Sequence, residues 1–342
     1  MLRLSPFLLL LAVFAIGARD ISAQNPDEPD EVIRVETDVT NLPFTALDKQ
    51  KRFITTLREE DIRVFEDNVP QQLFTFQRET DRPLALALLI DVSASEERTL
   101  PAEKAAARSF IETVIQSRKD QAAVIPFTGS AFLEQPLTRD VLGIYRALER
   151  VEVAMPAYLG SGRAIGGIVT GPGTKREPRE GSTAIWDAIA LTATEVLTQS
   201  AEPGQSRRRA IILLTDGQDT SSVLEIDQAI DRALLAETVI YAIGIGDSKY
   251  QGVDRGSLRT VAERTGGRAF FPKKEEDLSQ VFREIERELR TQYLIAYSSS
   301  NKKRDGAYRQ MRIDVVNPEL KKDRVTLRHR PGYFAKPSAA TR

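Results

Sequence analysis

Short apolar runs alternate with amphipathic stretches over residues 84–290, and this rhythm predicts alternating strands and helices. Buried-strand patterns lie at 84–90, 121–127 and 210–215, and a tight turn at 128–130 predicts one antiparallel strand after it. The other elements predicted here are helices near 101–116, 140–150, 183–199, 222–236 and 255–265, strands near 239–245 and 269–272, and a final helix from about 278. This alternation predicts an α/β fold with a doubly wound, mostly parallel sheet and helices on both faces.

The two flanks of this region have the alternating pattern of β-strands instead. Residues 32–80 and 291–336 are both rich in strands, and neither holds enough apolar residues for a core of its own. We therefore expect them to pair into one small β-sandwich-like domain, into which the α/β domain of residues 84–290 is inserted. Two separate β units are the alternative.

The N-terminus has the pattern of a secretory signal. Residues 1–23 combine an early arginine, a short apolar stretch and the small-residue end Ile21-Ser22-Ala23, which predicts cleavage before Gln24. An uncleaved anchor is the alternative. We expect residues 24–31 to be a disordered acidic leader and 337–342 to be a tail. The protein is therefore predicted to be exported, to the periplasm, the cell surface or the extracellular medium, with no membrane span after cleavage.

Composition narrows the possible functions. The 48 basic and 49 acidic side chains nearly cancel, so no broad attraction to nucleic acid is expected. The chain has no cysteine, which excludes disulfides and a thiol nucleophile, and one histidine, His329, which we interpret as a surface residue on a strand. The basic run at 207–209 is interpreted as a solvated approach to the next strand.

Polar side chains stand where two apolar strands end. Asp91 ends the first strand and is followed by Ser93 and Ser95, and Asp216 ends a later strand, while Thr183 starts a helix. Three interpretations compete: a helix cap, a nucleophile, or oxygen ligands for a metal. Ligands of doubly wound sheets bind beyond the carboxyl ends of strands, so the five residues would meet there. Their oxygens suit Mg²⁺, with Mn²⁺ or Ca²⁺ as alternatives.

The cap and nucleophile interpretations explain less of the sequence. A cap by Ser95 or Thr99 for the helix at Pro101 accounts for neither Asp216 nor Thr183. A serine nucleophile needs a base, and no Gly-x-Ser-x-Gly elbow, phosphate loop or dinucleotide fingerprint occurs. We therefore expect no enzyme activity, and a metal-dependent hydrolase is the less favoured alternative.

Asp91-x-Ser93-x-Ser95, Thr183 and Asp216 together resemble the metal-ion-dependent adhesion site (MIDAS) of von Willebrand factor A domains, over residues 84–290. The stretches "REEDIRVFEDNVPQ", "LLTDGQDTSS" and "AERTGGRAFFP" are similar to those of secreted bacterial proteins related to that family. The resemblance implies that the two serines and the threonine ligate the metal directly and that the aspartates act mostly through water. It also implies an open metal position for a partner's carboxylate.

The expected function is metal-dependent binding of a partner protein through its Glu or Asp side chain. Because Glu96-Glu97 directly follow Ser95, a second Ca²⁺ site like that of integrins is not expected. Asp219 is interpreted as a turn or cap residue, and the Gly-rich connection 152–182 is expected to lie near the metal and shape specificity. An envelope scaffold that binds through β-domain edges, independently of metal, is the alternative.

Overall fold

The computed structural model describes residues 39–78, 82–116, 118–154, 163–164, 182–200, 207–245 and 252–337. The predicted signal peptide, the acidic leader, most of the Gly-rich connection and all but the first residue of the tail lie outside the described residues. Within the described part, no helix is long and apolar enough to cross a membrane.

Helices and strands alternate through the middle of the chain. The helices are Leu100–Val114 (α1), Val141–Arg150 (α2), Ile185–Leu191 (α3), Ile226–Leu235 (α4), Arg255–Arg264 (α5), Leu278–Thr291 (α6) and Pro318–Lys322 (α7). The strands are Thr40–Leu47 (β1), Ile62–Glu66 (β2), Val69–Pro70 (β3), Leu73–Arg78 (β4), Leu84–Asp91 (β5), Gln121–Phe127 (β6), Phe132–Leu133 (β7), Gln135–Thr138 (β8), Arg163–Ala164 (β9), Arg208–Thr215 (β10), Thr238–Gly244 (β11), Ala269–Phe270 (β12), Tyr293–Tyr297 (β13), Tyr308–Val315 (β14), Thr326–His329 (β15) and Gly332–Phe334 (β16).

Six of these strands form a central sheet in the order β12-β11-β10-β5-β6-β8. All neighbours are parallel except β8, which runs antiparallel to β6 as the tight turn predicts. The chain passes from β5 to β6 on one side and later returns to β10 on the other. The strand order therefore reverses between β5 and β10, which is where doubly wound sheets bind ligands. The predicted α/β fold is confirmed.

Both faces of this sheet are covered by helices. Along β5, Leu86 and Leu88 pack in one core with α1, α2 and α6, whereas Ala85 and Ala87 pack in another with α3, α4 and α5. Successive side chains of a strand point to opposite faces of the sheet. When helices cover both faces, every side chain of the strand is buried and is therefore expected to be apolar. This explains why β5 is a continuous apolar run until Asp91.

The flanks form two further sheets, β15-β1-β13-β4 and β16-β14-β2-β3. Each sheet combines strands from both ends of the chain: Phe44 of β1 pairs with Tyr293 of β13, and Val64 of β2 pairs with Ile313 of β14. The side chains of both sheets share one apolar core. Neither flank could bury these residues alone. The boundaries of the β domain stay a prediction.

Two predicted helices differ from the observed ones. The helix predicted at 183–199 is α-helical only over Ile185–Leu191, and continues as a π turn and a 3-10 turn. The helix predicted at 222–236 begins at Ile226, because the Asp187 carboxylate accepts hydrogen bonds from the backbone of Val223 and Leu224 and holds them in a loop. Side-chain acceptors of this kind compete with the helix for backbone donors.

The interpretation of the basic run at 207–209 as solvated was wrong. Arg207 is buried, and Arg208 and Arg209 are partly buried. Arg208 donates to the carbonyl of Leu289 at the end of α6, and Arg209 donates to the carbonyl of Ala236 after α4. Helix C-termini leave carbonyls without intrahelical donors, and these guanidinium groups satisfy them.

Candidate metal centre

Asp91 is the last residue of β5 and is completely buried. Its Oδ1 accepts a hydrogen bond from the Ser93 backbone at 2.9 Å, and its Oδ2 accepts one from Thr215 Oγ1 at 2.6 Å. Burial raises the pKa of Asp91 to about 6, the two hydrogen-bonding neighbours lower it, and the charge of Asp216 adds a smaller increase. The carboxylate is therefore fixed in orientation but costly to ionise without a nearby cation.

Ser93 and Ser95 follow at the end of the strand. Ser93 is extended and buried, and the chain then makes a 3-10 turn over 94–96, so the two serines do not lie on one extended segment. Their hydroxyl oxygens still converge, at 3.0 Å. Cis ligands of a Mg²⁺ octahedron with bonds of 2.0–2.1 Å are about 3 Å apart, so a cation needs no widening of this pair.

Asp216 lies beside Asp91 because their strands are neighbours. Leu214 of β10 is in register with Ile90 of β5, and Asp216 directly follows β10. One carboxylate oxygen from each of Asp91, Asp216 and Glu96 lies within 4.8 Å of the others. The structure thus brings the two predicted aspartates together. Their role as metal ligands stays a prediction.

Thr183 is buried just before α3 and belongs to the same edge of the sheet. Its backbone N–H donates to Thr220 Oγ1 at 2.8 Å, and its carbonyl accepts from the Thr220 backbone at 2.9 Å. The next residue, Ala184, donates to the carbonyl of Thr128 at 2.8 Å. Thr128 follows Phe127, the register partner of Asp91 on β6. Thr183 is therefore held from both sides at the carboxyl ends of the central strands.

Asp219 caps the start of α3 and does not belong to the acidic group of Asp91, Glu96 and Asp216. Its Oδ2 accepts from the backbone of Ile185 at 2.8 Å, and its Oδ1 accepts from the Ser222 backbone at 3.1 Å. It therefore satisfies a free donor at the start of α3, as helix caps do, although it lies on a different segment. The interpretation of Asp219 as a turn and cap residue is confirmed.

Glu96 is the acidic residue that sequence reasoning missed. It is 1% exposed, and its Oε2 accepts from Thr99 Oγ1 at 2.7 Å. The Thr99 side chain makes no cap to α1, which excludes Thr99 from the alternative cap interpretation. A signal was present in the sequence: Glu96, just before α1, and Glu103, within it, keep the helical spacing of the buried Leu100 and Ala107.

The single histidine does not pair with the serines in the described structure. His329 lies on β15, is partly rather than fully exposed, and has its Nδ1 at 2.7 Å from the Arg330 carbonyl. The predicted strand position of His329 is confirmed, and its side chain is partly exposed at the surface. Burial is the main reason that the pKa of His329 is lowered.

The donors gathered at this edge fit a hard divalent cation. Carboxylates and hydroxyls from β5, β10 and the turns after them supply only oxygen, the ligand type that Mg²⁺, Mn²⁺ and Ca²⁺ prefer. The Oε1 atom of Glu96 is buried and has no hydrogen-bond partner. A bound cation would compensate both the orphaned oxygen and the clustered negative charge.

Family comparisons agree with this geometry. Two models of the von Willebrand factor type A domain match the chain, one over residues 86–218 and one over 174–284. This is a von Willebrand factor A domain protein. The two matches together extend from β5 to α6, so the family domain coincides with the central sheet, its helices and the acidic edge.

Individual relatives of this von Willebrand factor A domain protein are distant. Integrin alpha-X of Mus musculus is 27% identical over 130 residues, which are 38% of this chain and 11% of the integrin. The proximal thread matrix protein 1 from the mussel byssus with a zinc-occupied MIDAS motif has 19% identity and a TM-score of 0.49, over 66% of this chain and 50% of that one. A von Willebrand factor type A protein from Catenulispora acidiphila has 15% identity and a TM-score of 0.48, over 90% and 76%.

Proposed function

We propose that this protein is a metal-dependent protein-binding module of the adhesion type. Mg²⁺ would bind among Asp91, Ser93, Ser95, Thr183 and Asp216, and an acidic side chain of a partner protein would bind to the metal. The observation that carries the proposal is the meeting of two buried carboxylates from adjacent strands, beside two hydroxyls 3.0 Å apart. Such a cluster of negative charge favours a cation.

The ligands differ in charge, and this difference supports binding of an acidic partner. Ser93, Ser95 and Thr183 would contact the metal through neutral hydroxyls, whereas Asp91 and Asp216 would act mostly through water. Neutral direct ligands leave much of the cation's charge uncompensated. When bound, the cation supplies a positive centre with room for one more carboxylate. Similarity to a segment of an integrin, a protein of the adhesion class, is consistent with this role.

We further propose that the protein acts outside the cytoplasm, as its N-terminal signal pattern predicts. The Gly-rich connection of residues 152–182 leads directly into Thr183, and we propose that it shapes partner specificity. Shortening this connection should change partner choice or affinity. If neither changes, the connection has no part in recognition.

The test is a capture experiment with purified protein and an extract of the source organism's envelope. Capture is compared with Mg²⁺ and with EDTA, and between the wild type, Asp91→Ala and Asp140→Ala. Asp140 is an exposed aspartate that caps α2. The Asp140→Ala variant therefore controls for the loss of an aspartate away from the proposed metal site. We expect capture to disappear with EDTA and with Asp91→Ala only. Capture that survives both would assign binding to the flanking β-sheets and reject the metal-dependent function.

A further inference from the structure

Glu96 is a buried acidic side chain whose hydrogen bonding is incomplete. It is 1% exposed, and only Oε2 has a partner, the hydroxyl of Thr99. Its other oxygen, Oε1, is buried and without a hydrogen bond. A buried carboxylate that is neither paired nor fully hydrogen-bonded is expensive for the fold, and an apolar side chain of similar size would avoid that cost. Packing alone therefore does not account for a glutamate here.

The neighbours of Glu96 increase this cost. A carboxylate oxygen of Glu96 lies within 4.8 Å of those of Asp91 and Asp216. A fully ionised cluster of this kind needs a positive charge close to all of its members.

The turn after β5 directs Glu96 toward the two aspartates. The Glu96 backbone N–H donates to the Ser93 carbonyl at 3.0 Å, which closes the 3-10 turn of 94–96. As a result Ser95 and Glu97 are exposed, whereas Glu96 between them is buried. Because Thr99 holds Oε2, the remaining oxygen is the one left for a further ligand.

We propose that Glu96 is an additional ligand of the metal site, a third carboxylate that lies outside the Asp-x-Ser-x-Ser motif. It would hold the cation when no partner is bound and compensate part of its charge. This inference rests on the proposed metal site. It adds that the site retains its cation through this chain's own carboxylates before the partner's acid arrives.

The experiment measures Mn²⁺ binding to EDTA-stripped full-length protein by isothermal titration calorimetry. Glu96→Gln keeps the size of the side chain and removes the charge, and Glu97→Gln is the matched control on the exposed neighbour. We expect Glu96→Gln to bind Mn²⁺ about tenfold or more weakly, as typical losses at metal sites suggest, and Glu97→Gln to bind like the wild type. Glu96→Met serves as a second variant if Glu96→Gln does not fold, because an apolar chain of similar length suits a buried position.

Two outcomes separate this inference from the proposed function. If a folded Glu96 variant binds Mn²⁺ within twofold of the wild type, while Asp91→Ala loses binding, Glu96 is not a ligand but the metal site stands. If Asp91→Ala also binds Mn²⁺ like the wild type, the metal site itself is wrong. Melting temperatures in EDTA check folding, and neither Glu96 variant is expected to melt much earlier than the wild type, because Gln and Met fill the space of the Glu96 side chain without a carboxyl group to bury.

Discussion

At the residue scale, Asp91 destabilises the metal-free fold at neutral pH. Its pKa is about 6, against an ordinary value of 3.8, because burial penalises the charged form. Below pH 3.8 the group is protonated in the folded and unfolded states alike and costs nothing. As the pH rises from 3.8 through 6, ionisation favours the unfolded state, and stability on the order of 3 kcal/mol is lost.

Asp91→Asn should therefore stabilise the metal-free protein at pH 7.5 and leave it nearly unchanged at pH 4. An asparagine can still accept from the Ser93 backbone, and its amide has no charge to bury. Urea denaturation in EDTA at the two pH values measures the effect. The exposed Asp140→Asn is the control, with no such pH-dependent gain. An equal gain from Asp91→Asn at both pH values would contradict the explanation by ionisation.

Thr215 acts on the site through Asp91. Its hydroxyl donates to Asp91 Oδ2 at 2.6 Å and holds the carboxylate in place. Thr215→Val keeps the shape of the side chain and removes the donor, so we expect Mg²⁺ affinity to fall about tenfold. Thr238→Val is the matched control: Thr238 is also buried, but it lies at the start of β11, away from the carboxyl edge of the sheet. Calorimetric titration of both variants should give a weaker Kd for Thr215→Val alone.

Residue types at strand ends could be predicted well, and their neighbours less well. Asp91 and Asp216 each interrupt an apolar run, which a sequence pattern reveals directly. Glu96 was missed because its burial depends on the 3-10 turn of residues 94–96, which the sequence pattern does not reveal. Thr215 was missed because threonine is a common strand residue, so a threonine at the end of a buried strand is interpreted as part of that strand. Its hydroxyl becomes important only through the register with β5.

At the element scale, the segment between β10 and α4 holds α3 in position. Asp219 in this segment accepts from the backbone at the start of α3 and from Ser222.

The apolar runs predicted the bounds of β5, β6 and β10 nearly to the residue, because full burial leaves few polar positions in these strands. The start of α4 could not be predicted, since the side chains that hold residues 219–225 in a loop are distant in sequence.

Asp219→Ala should affect both stability and metal binding. Loss of a cap costs about 1 kcal/mol, and without it Thr183, two residues before Ile185, is less firmly held. Asp140→Ala removes the cap of α2 at comparable cost, far along the chain from these residues. We expect both variants to lose stability in urea denaturation and only Asp219→Ala to bind Mg²⁺ more weakly. Equal metal affinity in the two variants would show that Asp219 has no influence on the site.

At the scale of the whole molecule, segments from the two sides of the central α/β domain pair with each other. The end of α6 leads directly into β13, which pairs with β1 from the opposite end of the chain. The sequence could indicate this pairing, because neither flank has a sufficient core. It could not indicate that "RVTLRHRPGYFA" divides between two sheets, with β15 beside β1 and β16 beside β14. That division depends on which edges are free once the other strands have paired.

Glu66 joins the two flanking sheets through buried hydrogen bonds. It lies on β2, and its Oε2 accepts from Tyr297 of β13 at 2.8 Å and from Tyr333 of β16 at 2.9 Å, while Oε1 accepts from Ser299. Replacing it with leucine leaves these hydroxyls without their acceptor, at about 1–3 kcal/mol for each group that stays unpaired. We expect Glu66→Leu to lower the free energy of unfolding by about 3 kcal/mol, and Glu66→Gln to lower it less.

The same variants test whether the packing of the flanking sheets influences metal affinity at the carboxyl ends of the central strands. Glu66 makes its contacts within the flanking sheets, whereas the candidate metal site lies at the carboxyl ends of β5, β6 and β10 in the central sheet. Mg²⁺ affinity of Glu66→Gln, measured by calorimetry at a temperature where the variant stays folded, should therefore equal that of the wild type. A weaker affinity would mean that the packing of the flanks reaches the carboxyl ends of the central strands. The β-sheets would then help to set the geometry of the metal site, since α6 and β13 connect the two regions without an intervening loop.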